Sequence, residues 1–462
     1  MAEGDAAGAE ACFRQALQID ANVPELHANL ALLLDQQGRM PSAEDHYRQA
    51  LALRPDLPEV HLNLGTLLLC SKRFDEAEAA LHHALSMRPN DAASWTNLGV
   101  LHACLKRDWA AEACHHRALS LDPSLDSAAV NLAYVLLRQG RWAEGWPALE
   151  RRPSSAALAV HFAAVPRWQG EPLDGRSILL GFEAGQGDMI MFLRYVGEVR
   201  ARGAGAITLL CHPSLKRLCR ELLCPAVEHV IAFNDPVPRV GWDCWSPLMS
   251  LPGLCGTTPD RVPAALPYLQ VPDACIDAAR AWLPERPHGG PAPLRIGLVW
   301  RGNPAFENDA ARSLPSLATL APLGAAAHEA GWAVQWVSLQ KGMGEDEAQT
   351  PPAEFRQWCC PSAHLNDFVD TAAVVAQLDL VIAVDTAVAH LAGALDRPCW
   401  LLLPDYKTDW RWLTAREDTP WYPGMCLFRQ AEGEAWVATV ARVAALFKDA
   451  GDPGLSRPVL SR

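Results

Sequence analysis

The sequence predicts an α-solenoid over residues 1–150, then two α/β halves at 177–285 and 291–450, with a connection at 151–176. Three observations carry this. Asn-Leu-Gly/Ala recurs near the N-terminus at a step of 34 residues. After residue 177, apolar strand-like runs alternate with helical stretches, the pattern of a parallel, doubly wound sheet. A Pro/Gly-rich break at Pro284–Pro293 splits that region in two.

The repeat comes first. Asn29-Leu30, Asn63-Leu64, Asn97-Leu98 and Asn131-Leu132 keep the step, as do Arg39, Arg73, Arg107 and Arg141, and Ala16, Ala50, Ala84 and Ala118. A period of 34 marks a unit that cannot bury its apolar face alone and stacks on its neighbours. Gly65 and Gly99 let one helix approach the next, and Pro55, Pro89 and Pro123 end the second helix of each unit. Trp95, Leu98, Gly99, Ala111, Ala118 and Pro123 resemble the tetratricopeptide pattern. These are packing residues. The four asparagines either bond between repeats or display a ladder to an extended peptide. Ala9–Asp20 reads as the second helix of a repeat whose first is missing, which predicts an upstream start or a truncated chain.

The chain has 462 residues, 50% apolar and 20% charged, enough for two to four domains with real cores. A net charge of −13 argues against a broad nucleic-acid binder. No apolar run reaches the ~18–20 residues of a membrane span. Fourteen cysteines without a Cys-x-x-Cys pair predict reduced thiols in a cytoplasmic protein.

In the first α/β half, strands are expected at 178–182, 207–210 and 230–233, with helices near 189–202 and 215–222. In the second, strands are expected at 296–300, 333–339, 380–384 and 400–403, with a last helix near 434–447. Two such halves separated by a hinge fit the two-domain, Rossmann-like GT-B architecture, whose ligands lie outside the carboxyl ends of the strands.

Four constellations sit at such places. Glu183-Ala184-Gly185-Gln186-Gly187-Asp188 follows a strand and opens a helix; Asp188 is a helix cap or a base that deprotonates an acceptor hydroxyl. Leu380 to Leu391 runs from a strand into a helix of small residues. There the N–H groups near Thr386, Ala387 and Val388 can hold a diphosphate, Asp385 can bond a ligand hydroxyl, and His390 shares a face with Thr386. Equally, this is a capped helix with a buried histidine. Trp300-Arg301-Gly302-Asn303-Pro304 with Arg312-Ser313 is exposed loop charge, or neutralises a leaving diphosphate. Asp409-Trp410-Arg411-Trp412 and Trp421-Tyr422 stack on a base or sugar, or close a domain. Asp-x-Asp, Gly-x-Ser-x-Gly, a Walker A loop and zinc spacing are all absent from the sequence.

Together these motifs resemble the bacterial heptosyltransferase-like (ADP-heptose:lipopolysaccharide heptosyltransferase-type) glycosyltransferases fused behind tetratricopeptide repeats. The likeness covers most of residues 165–450, and Asp385-Thr386-x-x-x-His390 is its most specific piece. It implies a GT-B fold and inverting, metal-independent transfer from a nucleotide sugar, with no cofactor. It also implies that Asp188 is the base, that Gly185 and Gly187 shape its loop, and that Asn303, Asp385, Thr386, Ala387 and His390 lie on the donor side. Arg312 stands where those enzymes commonly place a lysine.

The reading that follows is a glycosyltransferase whose repeats present a protein or glycan acceptor. Three rivals are a lipopolysaccharide-core enzyme, a scaffold that has lost activity, and an O-GlcNAc transferase. The Gly-x-Gly-Asp and Asp-Thr-x-x-x-His motifs favour the heptosyltransferase-like branch over the last.

Overall fold

A computed structural model describes residues 3–263, 265–286 and 292–449. The chain divides into two compact units, Met1–Leu136 and Leu137–Arg462.

The first unit is a run of antiparallel helix pairs: α1 (Glu3–Ile19), α2 (Pro24–Gln36), α3 (Met40–Leu53), α4 (Pro58–Cys70), α5 (Phe74–Met87), α6 (Ala92–Cys104), α7 (Asp108–Leu121) and α8 (Asp126–Arg138). The small residues do what the spacing requires. A Cβ on Gly65 would meet Leu81 at 2.9 Å, and one on Gly99 would meet the ring of His115 at 2.5 Å. The turn between paired helices needs a left-handed residue, met by Gly38, Lys72 and Lys106 (φ 74°, 58° and 58°). Leu30, Tyr47, Leu64, Leu81 and Leu98 fill the core.

The repeating arginines have partners that repeat at the same step. Arg39 pairs with Glu10 (2.8 Å), Arg73 with Glu44 (2.7 Å) and Arg107 with Glu78 (3.0 Å). Among the asparagines, Asn97 donates to Thr66 of the preceding repeat at 2.8 Å.

The second unit opens with α9 (Trp142–Leu149) and α10 (Pro153–His161). The segment 151–176, expected as a plain connection, therefore carries a helix, and Phe162 and Trp168 within it are wholly buried. Phe162 and Val165 pack on Leu179, Leu210 and Trp245 of the first sheet, so proline and glycine there punctuate folded structure. Arg152 anchors the segment through Glu183 at the end of the first strand (2.6 Å).

The first sheet comprises β1 (Ile178–Gly181), β2 (Ile207–Cys211), β3 (His229–Ala232) and β4 (Cys244–Pro247), in the order β3-β2-β1-β4, all parallel. The single helix expected over 189–202 is two: α11 (Gln186–Phe192) and α12 (Tyr195–Ala201). The break falls where Arg194 is buried beneath Tyr268, Trp421 and Tyr422, donating to the Trp421 carbonyl at 2.8 Å. Helices α13 (Lys216–Glu221), α14 (Leu251–Leu254) and α15 (Asp273–Arg280) complete this half. The Pro/Gly-rich break at 284–293 lies partly outside the described residues.

The second sheet has six parallel strands in the order β10-β9-β8-β5-β6-β7: β5 (Leu294–Val299), β6 (Val334–Ser338), β7 (Trp358–Cys359), β8 (Leu380–Val384), β9 (Cys399–Leu403) and β10 (Met425–Arg429). Its helices are α16 (Asp309–Arg312), α17 (Ala321–Glu329), α18 (Phe368–Val375), α19 (Ala387–Ala394) and α20 (Trp436–Asp449). Strand order reverses between β1 and β4 in one sheet and between β5 and β8 in the other. Loops diverge at such points and leave a crevice for ligands.

Candidate functional site

The loops after β1, β5, β6 and β8 line one cleft of about 700 Å³. All nine residues singled out from the sequence border it: Gly185, Gly187, Asp188, Asn303, Arg312, Asp385, Thr386, Ala387 and His390. The first sheet supplies the first three and the second sheet the other six.

Asp188 lies in the first turn of α11. Its Oδ2 accepts the Gly185 N–H at 2.8 Å, closing the turn. Its Oδ1 is ion-paired with Arg411, which comes from the loop after β9. Arg411 also grips both oxygens of Asp409 at 2.8 Å through Nη1. Burial pushes the Asp188 carboxyl up from the ordinary aspartate range. Arg411 pulls it down and Asp409 pushes it up, and the net direction is upward.

Gly187 faces α19 at close range. A Cβ there would meet His390 Cδ2 at 2.8 Å and the Ala387 Cα at 3.5 Å. His390 Nδ1 bonds the Tyr422 hydroxyl at 3.1 Å, its ring stacks on Trp412, and its Nε2 stands 4.0 Å from Asp385. Burial first, then Arg411 and Arg194, hold the imidazole well below its ordinary value, so it is neutral.

Asp385 ends β8 and accepts from the Trp412 indole at 2.9 Å. Burial, with the Asp409 carboxylate second, pushes it up to about 6, against the Trp412 bond and the charges of Arg312 and Arg411. Thr386 caps α19, but its hydroxyl makes no capping bond; buried, it has no partner among the described residues. The Ala389 N–H of the first turn is bonded to the Thr386 carbonyl at 3.1 Å, and the Ala387 and Val388 N–H groups stand at the helix start. A hydroxyl and helix-start N–H groups are donors of the kind that bond anionic oxygens.

Arg312 pairs with Asp309 (3.1 Å), lies over Phe306 and packs so close to Gly302 that a Cβ there would meet its Nη2 at 2.5 Å. Asn303 folds its side chain onto the Ala305 N–H at 3.0 Å. Buried Gln340 accepts from the Trp300 and Arg301 N–H groups at 3.1 Å and holds the loop after β5 in place.

Three contributors were not among the site residues expected from the sequence. Lys341 lines the cleft, tied to Glu345 at 2.9 Å and the Ser362 carbonyl at 3.0 Å. Its signal was its place just past the strand expected to end at Leu339. Gln340 sits beside it. Arg411 lay in a motif read as stacking on a ligand or closing a domain; Trp410, Trp412, Trp421 and Tyr422 are buried within the protein.

Residues 318–402 match the model of glycosyltransferase family 9 (heptosyltransferase). Residues 2–109 match the Cilia and flagella-associated protein 70 middle TPR-like domain. The chain joins a tetratricopeptide-like region to a glycosyltransferase family 9 domain. That match takes in Asp385, Thr386, Ala387 and His390. Protein FlbA of Caulobacter vibrioides is 30% identical over 336 residues, which is 69% of this chain and 54% of FlbA. The chain thus spans about half the length of that relative. Among solved structures, MamA aligns at 18% identity over 34% of this chain and 92% of its own, with a TM-score of 0.31. PilF of Pseudomonas aeruginosa aligns at 22% identity over 43% of this chain and 80% of its own, with a TM-score of 0.33. Among the described residues, no helix is long and apolar enough to cross a membrane.

Proposed function

We propose that the second unit is a GT-B glycosyltransferase that moves a sugar from a nucleotide-sugar donor to a protein (or glycan) hydroxyl, with inversion and without a metal ion. The carrying observation is that one cleft brings Asp188 of the first sheet together with the unpartnered Thr386 hydroxyl and the start of α19 on the second.

In this reading the acceptor hydroxyl gives its proton to Asp188 while its oxygen attacks the anomeric carbon. The bond from that carbon to the diphosphate breaks, and the nucleoside diphosphate leaves into the second half of the site. The Thr386 hydroxyl and the first N–H groups of α19 receive its oxygens. Arg312, Arg301 and Lys341, all in the cleft, neutralise its charge. Attack from the Asp188 side, opposite the leaving diphosphate, inverts the anomeric centre.

The composition of the acceptor wall supports a protein or neutral glycan acceptor over the rival lipopolysaccharide-core reading. The first sheet contributes Phe182, Ala184, Gly185, Gln186, Gly187, Asp188, His212 and Ser214 to the cleft, and no lysine or arginine among them. A phosphorylated, acidic core would find no cation on that wall, and Arg411 beside Asp188 is already engaged by two carboxylates. The repeats are proposed to hold the protein that carries the acceptor hydroxyl, and the site of action is proposed to be the cytoplasm.

A panel of ADP-, GDP-, UDP- and CMP-sugars with chelator present tests the donor side by thermal shift. A ligand at 100 times its Kd adds about 2.7 kcal/mol. Stabilisation by one nucleotide class, cut to about half in Thr386→Val, supports the reading; none with any member argues for the scaffold alternative.

A further inference from the structure

Sugar transfer by Asp188 and the start of α19 makes no use of the Asp409-Trp410-Arg411-Trp412 motif, yet the chain buries that motif against the proposed base. We propose that Arg411 is the positioning residue for Asp188: it fixes the carboxylate across the cleft and keeps it in the form that accepts a proton.

The geometry leaves Arg411 little freedom. Its side chain is 6% exposed. Nη1 is held by both oxygens of Asp409, whose backbone position is set by its own side chain accepting the Arg411 N–H at 2.9 Å. The guanidinium lies over Trp410 at 4.5 Å and near Phe192 at 5.6 Å. With Nη1 on Asp409 and the guanidinium packed near two aromatic rings, Nη2 is the nitrogen that reaches Asp188, while Nε is buried without a partner. Asp188 therefore has one protein partner on each oxygen: Arg411 on Oδ1 and the Gly185 N–H on Oδ2. Each oxygen keeps a second lone pair for an acceptor hydroxyl.

The charge balance points the same way. Burial first, and the Asp409 carboxylate beside Arg411, favour the protonated acid at Asp188, against Arg411 and the Gly185 N–H bond. His390 on α19 is neutral. Arg312, from the loop after β5, is engaged with Asp309. Arg411 is thus the cation in direct contact that opposes protonation of Asp188. Its loss leaves the carboxyl buried beside a second carboxylate, and a protonated acid accepts no proton from a hydroxyl.

The proposal rests on the reading of Asp188 as the base, but its test does not require turnover. In the full chain with 13C-labelled aspartate carboxyls, Asp188 is assigned by loss of its signal in Asp188→Asn and titrated in wild type, Arg411→Gln and Arg411→Lys. The expected midpoint rises by at least about one pH unit in Arg411→Gln and by less in Arg411→Lys, which keeps charge but not the fork. Should Arg411→Gln not fold, the upward move in Arg411→Lys carries the test. An unmoved midpoint in the folded variants overturns the positioning role. So does a midpoint shift accompanied by a tenfold loss of ADP, GDP, UDP or CDP binding in Arg411→Lys, which would make Arg411 a phosphate ligand. Retained transfer in Asp188→Ala would instead remove the base assignment and leave the Arg411 titration result standing.

Discussion

Gly187 and His390 touch across the cleft so closely that the glycine cannot become an alanine without movement: the added methyl would lie 2.8 Å from His390 Cδ2. Helix α11 of the first sheet and α19 of the second meet here, so the spacing between candidate base and candidate phosphate site is set at this contact. Gly187→Ala is expected to cost about 1–3 kcal/mol of stability, the usual range for overpacking a buried contact. His390→Ala in the same chain makes room and should recover part of that loss in a double-mutant cycle by chemical denaturation. Additive losses would show that the contact does not set the spacing.

Removing the Asp188 carboxylate should strike the chemical step. Asp188→Asn keeps the shape and can still accept the Gly185 N–H. It is expected to lower kcat by about 10²–10⁴-fold while donor affinity stays within about twofold, as for loss of a general base. Steady-state kinetics with a separate donor titration checks this.

Thr386→Val separates stability from binding. The hydroxyl is buried without a protein partner, so replacing it by a methyl of the same shape should leave the unliganded protein as stable or slightly more so. Affinity for the nucleoside diphosphate should fall by about tenfold, near 1.4 kcal/mol. Paired thermal melts, with and without ligand, read both effects.

Much of this cleft was legible in the sequence because its parts are local. Strand, turn and helix start stand consecutively at Gly185–Asp188 and at Asp385–His390, and the fold places both at sheet switch points. The 34-residue step was legible because it repeats. Strand β4, Cys244-Trp245-Ser246-Pro247, carries no alternation and ends on proline, so it could not be told from a loop. β10 was hidden likewise between the aromatic loop and a Gly-containing turn. The split between α11 and α12 and the partner of Arg411 depend on residues distant in the chain. Arg194 at the helix junction is buried under the 421–422 loop, and Arg411 reaches an aspartate of the other sheet. No spacing rule encodes either.

Asp385 gives a pH-dependent stability. Its folded value is pushed up to about 6 from an ordinary 3.8, so the folded state holds a proton that the unfolded chain has released between those values. Its contribution is fully present below pH 3.8 and is lost as pH rises through about 6. Asp385→Asn, which still accepts from Trp412, should therefore gain stability relative to wild type between pH 5 and 7.5, by on the order of 2 kcal/mol. Melts across that range check it; a constant difference would show that Asp385 titrates normally.

In the repeats, His115 is buried against Gly99 with neither ring nitrogen bonded, and burial first, then His116, pushes it down to about 4. The unfolded chain binds a proton near 6.5, the folded one only near 4, so this contribution is present above 6.5 and lost as pH falls toward 4. His115→Leu should abolish a loss of about 2 kcal/mol between pH 7.5 and pH 5. Helical circular dichroism of the full chain, unfolded at pH 7.5 and at pH 5, measures it.

The most direct measurement is calorimetric titration of ADP, GDP, UDP and CDP, with chelator present, into wild type, Thr386→Val and Asp188→Asn. One nucleotide class should bind wild type and Asp188→Asn alike and bind Thr386→Val about tenfold more weakly. Absence of binding to wild type by all four, or equal binding to Thr386→Val, would contradict a diphosphate site at the start of α19.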